Sequence, residues 1–184
     1  MYIYPRTEGT IKSGTSSWVS TIHEDSNGKD WIQTGWRIKH DFSPFVPWKY
    51  WEWCINFGGP DEYCFYDYWI DYHHWGTSED YMVMWKSSVS KWCAYIHDYE
   101  VVCRNVHSTP AIMLAKSEIH LSPSNELDTK FYDVRYMDSG SVFRYFDQYR
   151  FSNDLPYLVD VYYNYYYRTY LGNTIYIPVV YKNY

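Results

Sequence analysis

Apolar and polar side chains alternate with a period of two in several segments of the chain, as expected for β-strands. In the segment 31–36 the pattern places Ile32 and Trp36 on one side of a predicted strand and Gln33 on the other. Gly35, on the same side as Gln33, has no side chain and would leave room for a ligand backbone. Gln33 is therefore the first candidate site residue, although a polar residue on a solvated strand face gives the same pattern.

Short runs of this kind recur between turn signals, and no long segment has helical periodicity. Residues 125–128 are predicted to be able to form a single helical turn. Short strands at this spacing are typical of a sandwich or barrel, and we expect an all-β protein with two packed antiparallel sheets. The predicted strands cover residues 2–4, 17–22, 31–38, 48–56, 63–72, 81–86, 91–97, 100–106, 111–120, 130–137, 157–163 and 174–181.

Composition agrees with this pattern. The 184 residues include 24 Tyr and 10 Trp, which favour strands, and the length fits one domain spanning residues 1–184. A Tyr-rich segment begins at about residue 138 and is interpreted as late core strands or an exposed adhesive face. The net charge of −6, without blocks of like charge, argues against nucleic acid as a partner. No apolar run is long enough to predict a membrane span.

The four cysteines form two pairs with equal separation. Cys93 and Cys103 flank a predicted turn at 97–99 that would pair residue 96 with residue 100 and bring the two sulfurs together across a hairpin. Cys54 and Cys64 flank a turn rich in Gly and Pro, which predicts a second hairpin disulfide. Two such bridges predict an oxidising, extracellular or cell- or virion-surface location, with any signal peptide absent from this chain.

The alternatives for the cysteines are four buried free thiols or a metal site. No Cys or His spacing typical of zinc is present, so neither a metal nor another cofactor is expected. The histidines are predicted to be surface residues; those considered as ligands lie at positions 73, 74, 97, 107 and 120.

Two further strands carry a carboxylate opposite their apolar residues. Glu118 shares a predicted face with Lys116, whose positive charge would favour the ionised carboxylate. Glu52 is a single acid among aromatic residues, on the side opposite Trp51 and Trp53. A carboxylate in such a position is a candidate acid or base, and it is also what a solvated strand face looks like.

The order of these segments resembles the glutamic peptidases of the eqolisin family and the related neprosin-like proteins. The resemblance covers about residues 2–136 and rests on Ser17-Trp18-Val19-Ser20, Trp31-Ile32-Gln33-Thr34-Gly35 and Tyr50-Trp51-Glu52-Trp53, with Glu118 downstream. It implies a concanavalin-like antiparallel β-sandwich, or jelly roll. It also implies a secreted endopeptidase that hydrolyses polypeptides in acid with a dyad of Gln33 and Glu118. Trp31, Glu52 and Lys116 would then line the substrate site.

In that chemistry the carboxylate accepts a proton from the attacking water, and the amide stabilises the developing oxyanion. A non-catalytic β-sandwich is the alternative: a carbohydrate-binding or adhesive module, or a structural subunit of a surface assembly or virion. Its partners would be carbohydrate or like subunits, because exposed aromatic rings stack on sugars and open strand edges pair with other chains. Leu114-Ala115, where the family carries Glu-Trp, favours this alternative. The retained order of Gln33, Glu52 and Glu118 favours the peptidase.

Overall fold

The computed structural model describes residues 2–5, 15–38, 46–74, 76–106, 112–119, 128–137, 142–145, 150–152, 157–163, 166–171 and 177–179. The regular elements in these ranges are strands. The described residues contain no helix that is long and apolar enough to cross a membrane. The all-β prediction is confirmed. The strands are β1 (Tyr2–Pro5), β2 (Thr15–Asp25), β3 (Gly28–Ile38), β4 (Pro47–Phe57), β5 (Tyr63–Tyr72), β6 (Glu79–Lys86), β7 (Lys91–Ile96), β8 (Tyr99–Arg104), β9 (Ile112–Ile119), β10 (Asp128–Tyr132), β11 (Arg135–Met137), β12 (Phe143–Tyr145), β13 (Arg150–Ser152), β14 (Tyr157–Tyr163), β15 (Tyr166–Leu171) and β16 (Ile177–Val179).

The strands form two large antiparallel sheets and two small ones. The five-stranded sheet has the order β5-β4-β3-β2-β9, and the seven-stranded sheet has the order β14-β15-β10-β1-β6-β7-β8. The pairs β11-β12 and β13-β16 form the two small sheets, and β16 also lies against β9 and β14. The Tyr-rich C-terminal segment thus supplies β14 and β15 at one end of the seven-stranded sheet.

The two large sheets pack face to face across an apolar core. Trp36 and Ile38 of β3 pack in one buried cluster with Tyr81 of β6 and Ile96 of β7. Burying each large apolar side chain contributes about 1.5–3 kcal/mol. Hydroxyl groups also join the sheets, because Ser17 Oγ on β2 lies 2.9 Å from Thr129 Oγ1 on β10. The side of the five-stranded sheet that faces away from this core, and carries Gln33, is called the outer face below.

Several strand boundaries differ from the sequence prediction. The predicted strand 130–137 divides into β10 and β11 at Asp133, whose φ of 53° turns the chain so that β11 pairs with β12. The strands β12, β13 and β15 were not predicted. Of the predicted helical turn at 125–128, residues 125–127 lie outside the described residues, and Asp128 begins β10.

Both predicted disulfides are present, Cys54–Cys64 and Cys93–Cys103, and each joins direct cross-strand partners. The second hairpin differs in detail from the predicted turn at 97–99, because residue 96 pairs with Tyr99 across a two-residue turn. A bulge after Ala94 restores the pairing of the cysteines. The bridges fasten β5 and β8, the terminal strands of the two sheets, to their neighbours. They indicate an oxidising environment.

Candidate functional site

Gln33 is held in a polar trio with Tyr50 and Glu52 of β4. Its Nε2 donates to Glu52 Oε2 at 3.1 Å and to the Tyr50 hydroxyl at 3.2 Å. An amide nitrogen has two hydrogens, so both are used within the trio. Gln33 is only 8% exposed, and Tyr50 is 1% exposed. The amide of Gln33 therefore fixes Tyr50 and Glu52 relative to β3 and is not presented to solvent.

Strand register places residue 118 away from Gln33. Ser20 of β2 pairs with Gln33 on one side and with Leu114 of β9 on the other, whereas Glu118 pairs with Ser16. Residue 118 is four residues further along the sheet than Gln33, which corresponds to about 14 Å in the strand direction. It is also two strands away, which adds about 10 Å across the sheet. The side chains of Lys116 and Glu118 lie outside the described residues. Level with Gln33, β9 carries Leu114 rather than an acid.

The neighbours of Gln33 on β3 have structural explanations. A Cβ built on Gly35 would lie 2.1 Å from the carbonyl oxygen of Ser17 and 2.6 Å from Cα of Trp18. Glycine is needed there because the backbone of β2 approaches closely, so the room expected beside Gln33 for a ligand is filled by β2. Trp31 packs edge to face on Phe57, with ring centroids 4.9 Å apart. Both residues are therefore explained by packing within the fold.

An aromatic strip follows the outer face at the edge of the five-stranded sheet, made of Trp48, Tyr66, Tyr68 and Tyr72. Its rings form a continuous series, with centroids 6.0 Å apart between Tyr66 and Tyr68, 6.3 Å between Tyr68 and Trp48, and 4.3 Å between Trp48 and Tyr72. Tyr66 is 57% exposed and Tyr72 is 40% exposed. The strip is thus accessible along the terminal strand β5.

Polar groups border this strip. Glu52 pairs with Tyr66 in the register of β4 and β5, and the Tyr50 ring lies 6.4 Å from Tyr68. The guanidinium of Arg37 lies 6.0 Å from the centre of the Tyr66 ring, within the range of a cation–π contact. The exposed aromatic rings can stack on the apolar face of a ring in a ligand. The neighbouring carboxylate and guanidinium can hydrogen-bond the polar substituents of that ring.

A charge cluster lies at the inner side of the sheets and is called the buried charge cluster below. It consists of the buried Lys49 and Glu79 and the partly exposed His97. Lys49 Nζ is 3.2 Å from Glu79 Oε2, and His97 Nε2 is 2.6 Å from the same oxygen. Asp71 Oδ2 approaches Lys49 Nζ more loosely, at 3.7 Å, and its side chain is half exposed. The ion pair between β4 and β6 therefore joins the two large sheets.

His73 is buried next to this cluster, and its prediction as a surface residue is wrong. Its Nδ1 lies 2.7 Å from the Tyr81 hydroxyl, and its Nε2 lies 3.2 Å from the Thr77 carbonyl. The carbonyl only accepts, so Nε2 carries the hydrogen and Nδ1 accepts from Tyr81. Burial lowers the pKa of His73 to about 3, the Thr77 carbonyl opposes this, and the charge of Lys49 adds to it.

One group in the described part of the chain has the composition of a metal site: Cys93, Glu100 and Cys103. The two sulfurs are bonded to each other and are not available as thiolate ligands. Glu100 accepts from Lys86 at 2.6 Å and from the Tyr95 hydroxyl at 2.9 Å. These contacts explain the group without an ion.

Sequence reasoning missed the aromatic strip and the buried charge cluster. Alternation along β4 puts Trp48 and Tyr50 on the side of Glu52, which was a usable signal for the strip. The same alternation puts Lys49 on the apolar side with Trp51, a usable signal for a buried charge. No family model matches the chain, and neither does any curated protein or solved structure. The resemblance to the glutamic peptidases therefore stays a prediction.

Proposed function

We propose that this chain is a non-catalytic β-sandwich that binds neutral oligosaccharides on the aromatic strip. The observation that carries the proposal is the continuous series of rings on the outer face, exposed at Tyr66 and Tyr72 and bordered by Glu52 and Arg37. The disulfides fit an extracellular setting, and we place the protein at a cell or virion surface or free outside the cell.

Stacking supplies the main attraction in this proposal. The apolar face of a sugar ring would lie on Tyr66 and Tyr72, since aromatic side chains offer large, rigid contact areas. Sugar hydroxyls would bond to Glu52, whose position is fixed by the Gln33 amide. The net charge of −6 disfavours polyanionic saccharides, which leaves neutral ones as the better ligands.

The Cys54–Cys64 bridge supports the same proposal through preorganisation. It fastens β5 to β4, so the rings of the strip keep their spacing although β5 has a strand neighbour on one side only within the described ranges. Binding then costs less ordering of the protein, which improves affinity at a given contact area.

The test is a panel of immobilised neutral and acidic polysaccharides, screened with the wild type and two variants. Tyr66→Ala should weaken binding to a neutral glycan, while Tyr63→Ala should not. Tyr63 is the matched control because it lies on the same strand with 55% exposure but contacts Trp53, a residue of the inner core. Equal binding by both variants would reject the strip as the site. Loss of self-association in Tyr66→Ala, without any glycan binding by the wild type, would favour a subunit interface.

Glutamic-peptidase activity is the second candidate. Two observations favour it. The segments that resemble the family lie on the neighbouring strands β4, β3, β2 and β9 of one sheet. Gln33 also donates a hydrogen bond to the carboxylate of Glu52. The concanavalin-like jelly roll implied by the resemblance is part of this proposal. Wild-type cleavage of an unfolded protein in acid, lost in Gln33→Ala and Glu118→Gln, would establish it. No cleavage by the folded wild type from pH 3 to 7, a range that spans roughly the carboxylate and histidine titrations, would remove it.

A further inference from the structure

Lys49 and Glu79 form a buried amine–carboxylate contact between the two large sheets. Their side chains are 4% and 9% exposed, and the nitrogen lies 3.2 Å from the nearer carboxylate oxygen. The His97 imidazole touches both groups, at 3.2 Å from Lys49 Nζ and 2.6 Å from Glu79 Oε2. One proton carrier therefore contacts the nitrogen and the oxygen at the same time.

Burial changes the chemistry of such a pair. Removing an ammonium and a carboxylate from water is costly, and a buried pair offsets that cost only through its mutual attraction and its hydrogen bonds. Two reacting groups held in contact also behave as if their concentration were extremely high, with effective molarities of about 10⁵ M or more when the geometry is favourable. An uncharged amide product would relieve the burial of both charges.

We propose that Lys49 and Glu79 condense to an intramolecular isopeptide bond. Lys49 Nζ attacks Cδ of Glu79, the new N–C bond forms, and one carboxylate C–O bond breaks. Two protons of the ammonium leave with that oxygen as a single water molecule. The ammonium and the carboxylate together carry no net charge, and neither does the amide with water, so the step balances without an oxidant or a reductant.

His97 is assigned as the proton carrier of this reaction. Its Nε2 accepts a proton from the attacking nitrogen and returns it to the departing oxygen, which is general base and then general acid catalysis at one atom. His97 lies in the turn between β7 and β8, and its side chain is 41% exposed. The released water therefore has a route to solvent beside the imidazole.

The proposed bond differs from the disulfides in what it connects. Each disulfide joins neighbouring strands of one sheet, whereas the isopeptide bond would join β4 of the five-stranded sheet to β6 of the seven-stranded sheet. The two sheets would then stay covalently connected when their shared core is disrupted.

The test is the intact mass of the full chain, purified folded, then denatured, reduced and alkylated. We expect a mass lower by one water molecule, and a branched peptide that links the Lys49 segment to the Glu79 segment after digestion. His97→Ala should slow the appearance of the lighter species by about 10²-fold or more. Lys49→Arg should show the full mass, because the guanidinium keeps the charge but does not condense.

Asp71→Asn is the matched control, since it removes the looser carboxylate neighbour of Lys49 and leaves Glu79 in place. It should still lose one water molecule. A wild-type chain that keeps its full mass after prolonged incubation in the folded state would overturn the proposal. A branched peptide that maps to Asp71, or a His97→Ala variant that reacts at the wild-type rate, would overturn the assigned residues.

Discussion

Replacing His73 with glutamine should flatten the acid side of the stability profile. His73 is 1% exposed, and burial lowers its pKa from 6.5 to about 3. The unfolded chain therefore binds a proton at His73 below about pH 6.5, which the folded chain does not bind until about pH 3. Stability from this group is fully present above pH 6.5 and is lost progressively as the pH falls. Glutamine does not titrate, so the variant lacks this loss.

The magnitude follows from the size of the shift. One pKa unit corresponds to about 1.4 kcal/mol, so the wild type should lose about 2.5 kcal/mol between pH 7.5 and pH 4.5 through His73 alone. Other groups titrate in this range, and the difference between wild type and variant isolates the histidine. A loss of this size is a large part of the stability of a typical domain.

The assay is urea unfolding, followed by tryptophan fluorescence, at pH 7.5, 6.0 and 4.5. His74→Gln is the matched control, because His74 is adjacent in sequence but exposed. It should keep the wild-type slope, while His73→Gln should lose it. A parallel loss of stability in wild type and His73→Gln would show that His73 is protonated in the folded state, which contradicts a buried, uncharged imidazole.

Three further predictions use the same unfolding measurement, the third together with a saccharide-binding assay. Gln33→Ala should lower the free energy of unfolding by about 1–3 kcal/mol, because it removes the hydrogen bonds from Gln33 to Tyr50 and Glu52. An unchanged unfolding midpoint would show that those hydrogen bonds are not formed. Gly35→Ala should prevent folding because its Cβ would meet backbone of β2, whereas Gly58→Ala, with no atom within 4 Å but a φ of 81°, should cost about 1 kcal/mol. Removing either disulfide with paired alanines should cost about 2–3 kcal/mol, but only loss of the β5 bridge should weaken saccharide binding.

The strands and disulfides could be predicted because they depend on local pattern. Alternation with a period of two decides which side chains share a face, and equal spacing around two turns decided which cysteines meet. The bulge after Ala94 shows the limit, because it shifts the turn by one residue while leaving Cys93 opposite Cys103.

The candidate site could be predicted only in part, because alternation gives a face and not a register. Gln33 and Glu52 were recognised as separate candidates, but their contact depends on the pairing of β3 with β4. Residue 118 was paired with Gln33 through the resemblance, whereas the pairing of β9 with β2 puts Leu114 level with Gln33. The burial of His73 could not be predicted from the sequence, because it depends on Tyr81, which reaches His73 from the facing sheet.

Saccharide binding on the aromatic strip is the central claim, and calorimetric titration tests it most directly. The ligand is the neutral oligosaccharide retained most strongly in the polysaccharide panel, titrated into wild type, Tyr66→Ala and Tyr63→Ala. We predict that Tyr66→Ala loses about 2 kcal/mol of binding free energy, roughly a thirtyfold weaker Kd, because a truncated anchor ring costs this much. Tyr63→Ala should match the wild type within about twofold. Equal affinity for all three proteins, or no heat with any neutral saccharide, would contradict the account.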